Sequence, residues 1–300
     1  MSQIYLNHQK PHYIDGWPPN IPRNLSLYIN LQKNTTILHP NDYCGSKNYL
    51  YIIVCTAPNN KEARNSIRET WANEKQLTLL NYFIKVHFLI GQTNSLIIQK
   101  SIERESSEFN DIIQENFYDS YNNLTIKVGM LLKWINNHCQ DTKYVMKIDD
   151  DIFLNIPMLL DKLKLQKNSD FLLGEIQYEP PIIRIPSEKW YMPEYMYPRD
   201  YYYDRYPSFV SGCSYVMTLN TTKKILNTAL TIEFLYLEDV FFNGICAKIA
   251  NINKINYQGF NIPFNDLHNY SMSYNYITIH RVTPNIMYKI WKYNKILENI

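Results

Sequence analysis

Several things are missing from this 300-residue chain, and each absence removes a class of protein. No apolar run approaches the roughly 18 to 20 residues needed to cross a bilayer, and the best, YLYIIVCTA at residues 49–57, is the length of a strand. The start, MSQIYLNHQK, lacks the charged region followed by an apolar one that marks a signal peptide. Cys44, Cys55, Cys139, Cys213 and Cys246 form no CxxC pair and have no His at zinc-ligand spacing, which argues against a structural zinc. They fit either reduced core thiols or one to two disulfides with a thiol left over. Charge is also nearly balanced: 30 Lys and Arg against 28 Asp and Glu give a formal +2, so no basic field gathers nucleic acid. No internal repeat is visible.

What is present is the composition of a folded protein, 45% hydrophobic and 19% charged, in a chain long enough to bury a core unaided. Sequons at Asn24, Asn34, Asn123, Asn220 and Asn269 permit a secretory address without establishing one. Residues 1–45 are polar and broken by Pro11, Pro18, Pro19, Pro22 and Pro40, which reads as an irregular arm or stem remnant before a regular domain over 46–300. In that domain, strand patterns at 49–57 and 84–91 alternate with helical patterns at 61–74 and 95–108. A third helix, with Leu124, Val128, Leu131, Leu132 and Ile135 in register, leads into the strand YVMKIDD. The alternation predicts an α/β fold with parallel strands. Residues 180–207, dense in Pro, Tyr and Trp, read as a long loop of the kind that covers a binding site.

The strand ending in KIDDDIFLN places Asp149, Asp150 and Asp151 where open α/β sheets bind ligands. Three adjacent carboxylates repel one another unless a cation offsets them, and oxygen-only ligation favours Mg²⁺ or Mn²⁺ completed by substrate phosphates. In an extended segment Asp149 and Asp151 share one side and Asp150 takes the other. The plain alternative is an acidic cap or solvated turn before the next helix. Glu238 and Asp239, in LEDVFFNGICAKI, open a core-spaced helix after an apolar approach, as caps or as a general base. Arg64 and Arg68 could face a diphosphate or simply form a solvated face.

Five blocks occur in order: TAPNNKEARNSIRETW, YDSYNNLTIKVGMLLKWINNHC, KYVMKIDDDIFLN, KWYMPEYMYPRDYYYDRYPSFVSGCSYVM and LEDVFFNGICAKI. Together they resemble the β-1,3-galactosyltransferase family, glycosyltransferase family 31, over roughly residues 48–292. The resemblance implies a GT-A, Rossmann-like fold with a mixed central sheet flanked by helices, the catalytic domain spanning 46–300. It implies a UDP-sugar donor, Mn²⁺ or Mg²⁺, and inverting transfer to the 3-hydroxyl of a glycan on a glycoprotein or glycolipid. It also implies a Golgi address, with the membrane reached through an anchor that this chain does not show. Residue by residue, Asp149 and Asp151 match the ends of the family's DxD element and Asp150 its middle acid. Asp239 matches the general base and Glu238 the acid before it, while His280 in ITIHRVTPNIMYKIW matches a late metal-closing His. Arg64, Arg68 and Lys147 match basic positions near the donor. Trp190, Tyr191 and Tyr206 match an acceptor-side loop. Ser211-Gly212-Cys213-Ser214 departs from the family's small-residue SGGGYV or SGTGYV run. The competing readings are a non-catalytic carbohydrate-binding relative and a metal-dependent phosphohydrolase.

Overall fold

Where the sequence is apolar on both faces, the chain builds the centre of a sheet. The computed structural model describes residues 12–42, 44, 48–167, 170–199, 204–266 and 270–298, so the chain's first residues, Pro11 and the Asn269 sequon lie outside the described residues. In chain order, β1 (Thr36–Leu38) and β2 (Leu50–Cys55) precede α1 (Lys61–Glu69), a short α2 (Glu74–Thr78), β3 (Ile84–Gln92), α3 (Leu96–Phe109) and β4 (Ile112–Tyr118). Next come α4 (Leu124–His138), β5 (Tyr144–Asp149), β6 (Ile152–Leu154), α5 (Ile156–Lys164), β7 (Phe171–Gln177), β8 (Phe209–Thr218) and α6 (Leu219–Ala229). A π-type helix (Asp239–Cys246) runs on into α7 (Ala247–Ile249), and β9 (Asn253–Asn256), β10 (Ile262–Pro263), β11 (Thr278–His280) and α8 (Pro284–Glu298) finish the chain.

Eight strands form one sheet in the order β1-β4-β3-β2-β5-β8-β7-β9, in which β1 and β8 run against the others. This is the mixed, helix-flanked α/β sheet expected of a GT-A transferase. A second sheet, β10-β11-β6, sits at the end of β5. Every residue of β2 is buried, as a central parallel strand requires, and its Cys55 lies in register with Asp149 of β5. Because β6 pairs antiparallel with β11, Ile152 faces His280, and the turn carrying Asp150 and Asp151 is set beside that His. Two apolar cores fill the two faces of the sheet.

The N-terminal arm differs from its sequence reading. Residues 12–42 are integral to the domain: Ile14, Trp17, Leu25 and Ile29 are buried in the larger core, and β1 adds an edge strand to β4. Gly129 of α4 permits this, since a Cβ there would lie 2.0 Å from Ile29 Cδ1. Polar groups complete the join. Thr35 and Thr36 hydroxyls each donate to the buried Glu115 at 2.7 Å, and Lys133 donates to the Lys33 carbonyl and to Thr35 Oγ1 at 2.7 Å. A disulfide ties Cys44 to Cys139 at the end of α4, while Cys55, Cys213 and Cys246 are free. That bond spans 95 residues, so by the chain-entropy model its loss costs about 4.7 kcal/mol. Cys139→Ser is therefore expected to lower the thermal midpoint by several degrees, and a midpoint equal to the wild type's would show that the disulfide does not hold the arm.

Candidate active site

Lys147 is the centre of the site. Its strand, β5, runs antiparallel to β8 with Lys147 opposite Tyr215, which turns the ammonium into the space between sheet and π-type helix. The side chain is 1% exposed, and Nζ donates to Asp149 Oδ1 (2.7 Å), Gly212 O (2.6 Å) and Glu238 Oε1 (3.1 Å). All three N–H donors are matched. Burial disfavours the cation, yet Asp149 and Glu238 hold it well above its ordinary value. One ammonium does not neutralise its neighbouring carboxylates. Burial pushes Glu238 up to about 8, Lys147 opposes this, and Asp239 and Asp149 raise it further. Gly212 is a close-approach position, because a Cβ there would lie 2.7 Å from Glu238 Oε1 and 3.1 Å from Asp239 Cβ.

Asp239 opens the π-type helix and is only partly buried. Its Oδ1 accepts the Val240 N–H at 2.8 Å and its Oδ2 accepts the Gly212 N–H at 3.2 Å. Burial raises its pKa, while those N–H groups pull it back. The result is a partly exposed carboxylate fixed by backbone N–H groups, an arrangement that suits a general base. Glu238 differs: it is 6% exposed and held by Lys147, and its Oε2 is buried with no partner. Its carboxylate is turned inward to Lys147, whereas Asp239 is the more exposed of the two adjacent acids.

The three aspartates point in three directions. Asp149 faces Lys147. Asp150 Oδ2 accepts from Thr56 Oγ1 (2.5 Å) and Asn60 Nδ2 (2.9 Å), groups from the loop after β2. Asp151 Oδ2 lies 3.4 Å from His280 Nε2. The extended-strand expectation fails because Asp150 and Asp151 occupy a turn, where side chains do not alternate. Among the described residues no three His, Cys, Asp or Glu side chains come together in a metal-holding group. Asp151 and His280 do fit a Mn²⁺ or Mg²⁺ as a pair: one carboxylate and one imidazole side by side, with side chains 46% and 22% exposed, open to phosphate oxygens. Burial lowers His280, but contacts with Asp151 and Cys213 outweigh it and bring the ring to about 10. Cys213, the departure from the family's small-residue run, is therefore a neighbour of the late His.

The basic positions all have acidic partners within the chain. Arg64 is fully buried; it grips Glu105 with Nε (2.7 Å) and Nη2 (2.8 Å) and donates to the Ala57 carbonyl at 2.8 Å. It shapes the 56–60 loop that holds Asp150. Arg68 makes a bidentate pair with Asp111 at 2.8 Å and lies over the Phe88 and Phe109 rings. Both guanidinium groups are held by carboxylates of the chain itself, and Lys147 is enclosed by its three partners. The helical spacing that suggested an exposed pair cannot reveal Glu105, a buried acid from another helix. Of the residues expected on the acceptor side, Trp190 is half-exposed, Tyr191 is partly buried with its carbonyl accepting from Tyr236 Oη (2.7 Å), and Tyr206 is buried at 5% exposure. Tyr206 thus belongs to the loop's core. Thr56, Asn60 and Tyr121 escaped the sequence reading; all three lie inside quoted blocks, and only their position directly after strands β2 and β4 marks them.

Lys147→Met would leave Asp149 and Glu238 without their cation, and is expected to destabilise the fold by about 3 to 5 kcal/mol in urea titrations. Glu238 supplies a second check. Its folded pKa of about 8 stands above its ordinary 4.5, so its contribution is full below pH 4.5 and is lost as pH rises toward 8. Wild-type stability is expected to fall through that window by up to about 1.4 kcal/mol per pH unit, and Glu238→Gln to flatten the slope. A variant as pH-dependent as the wild type would assign the slope elsewhere.

Comparison with known proteins agrees with this geometry. Residues 62–258 match the Galactosyltransferase family. The chain is 34% identical over 252 residues to beta-1,3-galactosyltransferase 1 of human and mouse, covering 81% of this chain and 73% of the relative. It is 32% identical over 307 residues to mouse beta-1,3-galactosyltransferase 2, covering 94% and 69%. It is 35% identical over 221 residues to the lactosylceramide 1,3-N-acetyl-beta-D-glucosaminyltransferase of Xenopus tropicalis, 71% of this chain and 57% of that protein. With its acidic strand end, its buried lysine and its carboxylate at the head of a helix, the chain belongs to the galactosyltransferase family and is a glycosyltransferase.

Proposed function

We propose that the protein is an inverting, metal-dependent hexosyltransferase that moves galactose or N-acetylglucosamine from a UDP-sugar to the 3-hydroxyl of a glycan acceptor, in β-1,3 linkage. The observation that carries this reading is Asp239. It is held by the Gly212 and Val240 N–H groups, and Gly212 is also bound to the lysine that grips Asp149. Base and donor-side acid are therefore coupled through one residue.

The chain's own groups perform the proton and positioning work. Asp239 takes the proton of the acceptor hydroxyl as its oxygen bonds to the anomeric carbon from the face opposite the diphosphate. The bond from that carbon to the diphosphate oxygen breaks in the same displacement, which inverts the centre, as in an inverting glycosidase with a sugar hydroxyl replacing water. Asp150, fixed by Thr56 and Asn60, shapes the floor next to the donor. Asp151 and His280 would hold the Mn²⁺ or Mg²⁺, which when bound offsets the charge of the departing diphosphate.

Glycosylation of proteins or lipids at the Golgi membrane is the setting proposed. The Cys44–Cys139 disulfide supports an oxidising compartment. Among the described residues no helix is long and apolar enough to cross a membrane.

Asp239→Asn keeps the shape but loses the base, so transfer from UDP-galactose or UDP-N-acetylglucosamine is expected to fall by at least about a hundredfold while UDP binding by calorimetry stays within twofold. Undiminished transfer would remove the base assignment. Mn²⁺ with UDP is expected to raise the thermal midpoint of the wild type, and the rise is expected to vanish in Asp151→Asn and in His280→Ala. A rise kept by both variants would place the metal elsewhere.

A further inference from the structure

The arm meets the rest of the domain around an open cavity of about 280 Å³. Trp17 and Tyr28 of the arm, Phe117 and Tyr118 at the end of β4, and Asn123 just before α4 line it, with Gly16 beside Trp17. Trp17 and Phe117 are buried and Tyr118 is 54% exposed, so the aromatic surface runs from the core out to solvent. The arm turns at Gly16, whose φ of +85° is left-handed and where a Cβ would meet nothing within 4 Å. That turn is tied to the opposite wall: Trp17 Nε1 donates to the Asn122 carbonyl at 2.9 Å, and Asn122 Nδ2 donates to the Asp15 carbonyl at 3.0 Å. The same stretch of arm reaches the run before Asp239, since the Trp17 ring meets Phe234 edge-on at 4.8 Å and Arg23 Nη1 donates to the Phe234 carbonyl at 2.6 Å.

Asn123 heads the sequon Asn123-Leu124-Thr125. A sequon alone says little in a chain so rich in Asn, and Asn24, Asn34 and Asn220 head others without lining this cavity. Asn123 does line it, and its amide is held in place: Nδ2 donates to the Tyr118 carbonyl at 2.8 Å. An amide nitrogen carries two hydrogens, so one can be replaced while the bond to Tyr118 is kept. Thr125 is buried and its hydroxyl donates to the Leu235 carbonyl at 2.6 Å, so the folded chain hides the third residue of the sequon and attachment at Asn123 has to precede folding.

We propose that Asn123 is N-glycosylated and that its first N-acetylglucosamine lies in this cavity, one ring face on the aromatic lining, joining the arm to the start of α4. The co-reactant is an oligosaccharide carried on a polyprenyl diphosphate. Asn123 Nδ2 bonds to its anomeric carbon, the bond from that carbon to the diphosphate oxygen breaks with the electron pair leaving on the lipid diphosphate, and Nδ2 gives up one proton. The cavity lies just under the ~300 Å³ at which sites for drug-sized ligands begin, which suits one pyranose, and the later sugars extend past Tyr118 into solvent. A ring face of a pyranose is apolar and covers aromatic surface that otherwise meets water. The proposal rests on the secretory setting of the proposed function and not on its transfer chemistry.

Glycopeptide mass spectrometry on the chain secreted from a host that makes high-mannose glycans tests occupancy, which is expected at Asn123. Trimming by endoglycosidase H leaves one N-acetylglucosamine and is expected to leave the thermal midpoint within about 1 °C, whereas Asn123→Gln is expected to lower it by several degrees. Tyr118→Ala is expected to lower the midpoint of the trimmed protein and to have no further effect in the Asn123→Gln background. A measurement on the trimmed wild type needs no variant: with a ¹³C-labelled sugar, ring protons of the remaining N-acetylglucosamine are expected to be shifted upfield by the aromatic lining. An unmodified Asn123, additive effects of the two substitutions, or sugar protons at the shifts of a free glycosylated asparagine would each overturn the proposal. If Asn123 is unmodified while Cys44 and Cys139 are bonded to each other, this site alone falls; free thiols at both, with no glycan on any sequon, count against the secretory setting as well.

Discussion

The Lys147 ammonium is the interaction on which the rest of the site depends. Strands β5 and β8 and the head of the π-type helix each bring an oxygen to it, and among the described residues Lys147 is the cation paired with both Asp149 and Glu238. In a medium of low dielectric an unpaired carboxylate is costly, and Asp149, Glu238 and Asp239 are crowded together. A buried pair of this kind is weak evidence for stability, since an apolar replacement of the whole set could fold as well. Its effect is geometric. Lys147 fixes where the acidic strand end stands relative to the helix that begins with Asp239, and the missing Cβ of Gly212 lets the two approach.

A second constraint comes from the other direction. The arm supplies apolar side chains to the core and polar ones to the sheet edge, and its contacts converge on segments that flank Asp239. The acidic strand end is thus held from within the sheet, through Lys147, while the segments flanking Asp239 are held from outside, through the arm. The 180–207 loop has its own lock, since Arg184 pairs with Asp204 (2.7 Å) and donates to the Met192 (2.8 Å) and Tyr197 (2.9 Å) carbonyls.

The sequence made the regular part of this arrangement legible. YLYIIVCTA, YVMKIDD and FVSGCSYVMT became β2, β5 and β8, because burial on both faces writes a continuous apolar run. Strand β4 escaped for the opposite reason: its Gln114 and Glu115 are buried polar residues, satisfied by Gln99 and by Thr35 and Thr36, and they break the apolar pattern. The arm's packing left no periodic signal, since it depends on single large residues such as Trp17 set between prolines. Within the site, residue types and order pointed to Asp239, Asp151 and His280. The partners of Arg64, Arg68 and Lys147 were out of reach, because a cation's sequence position says nothing of which buried acid it meets.

The division of labour between Glu238 and Asp239 follows from where the helix starts. Both acids are adjacent, both are raised by burial, and a sequence reading gives no ground to separate them. Glu238 is the residue before the π-type helix, and its longer side chain turns inward to Lys147, leaving Oε2 sealed from solvent. Asp239 is the first residue of the helix, where backbone N–H groups are available, and it takes one from Val240 and another from Gly212. Those bonds fix the short, partly exposed side chain and moderate the rise in its pKa. A base needs a fixed position, access to the proton and a pKa near the working pH. Glu238 has the last but not the access, and only Asp239 has the access as well as the fixed position. The neighbouring acid instead ties the head of the helix, through Lys147, to the strand end that carries Asp149.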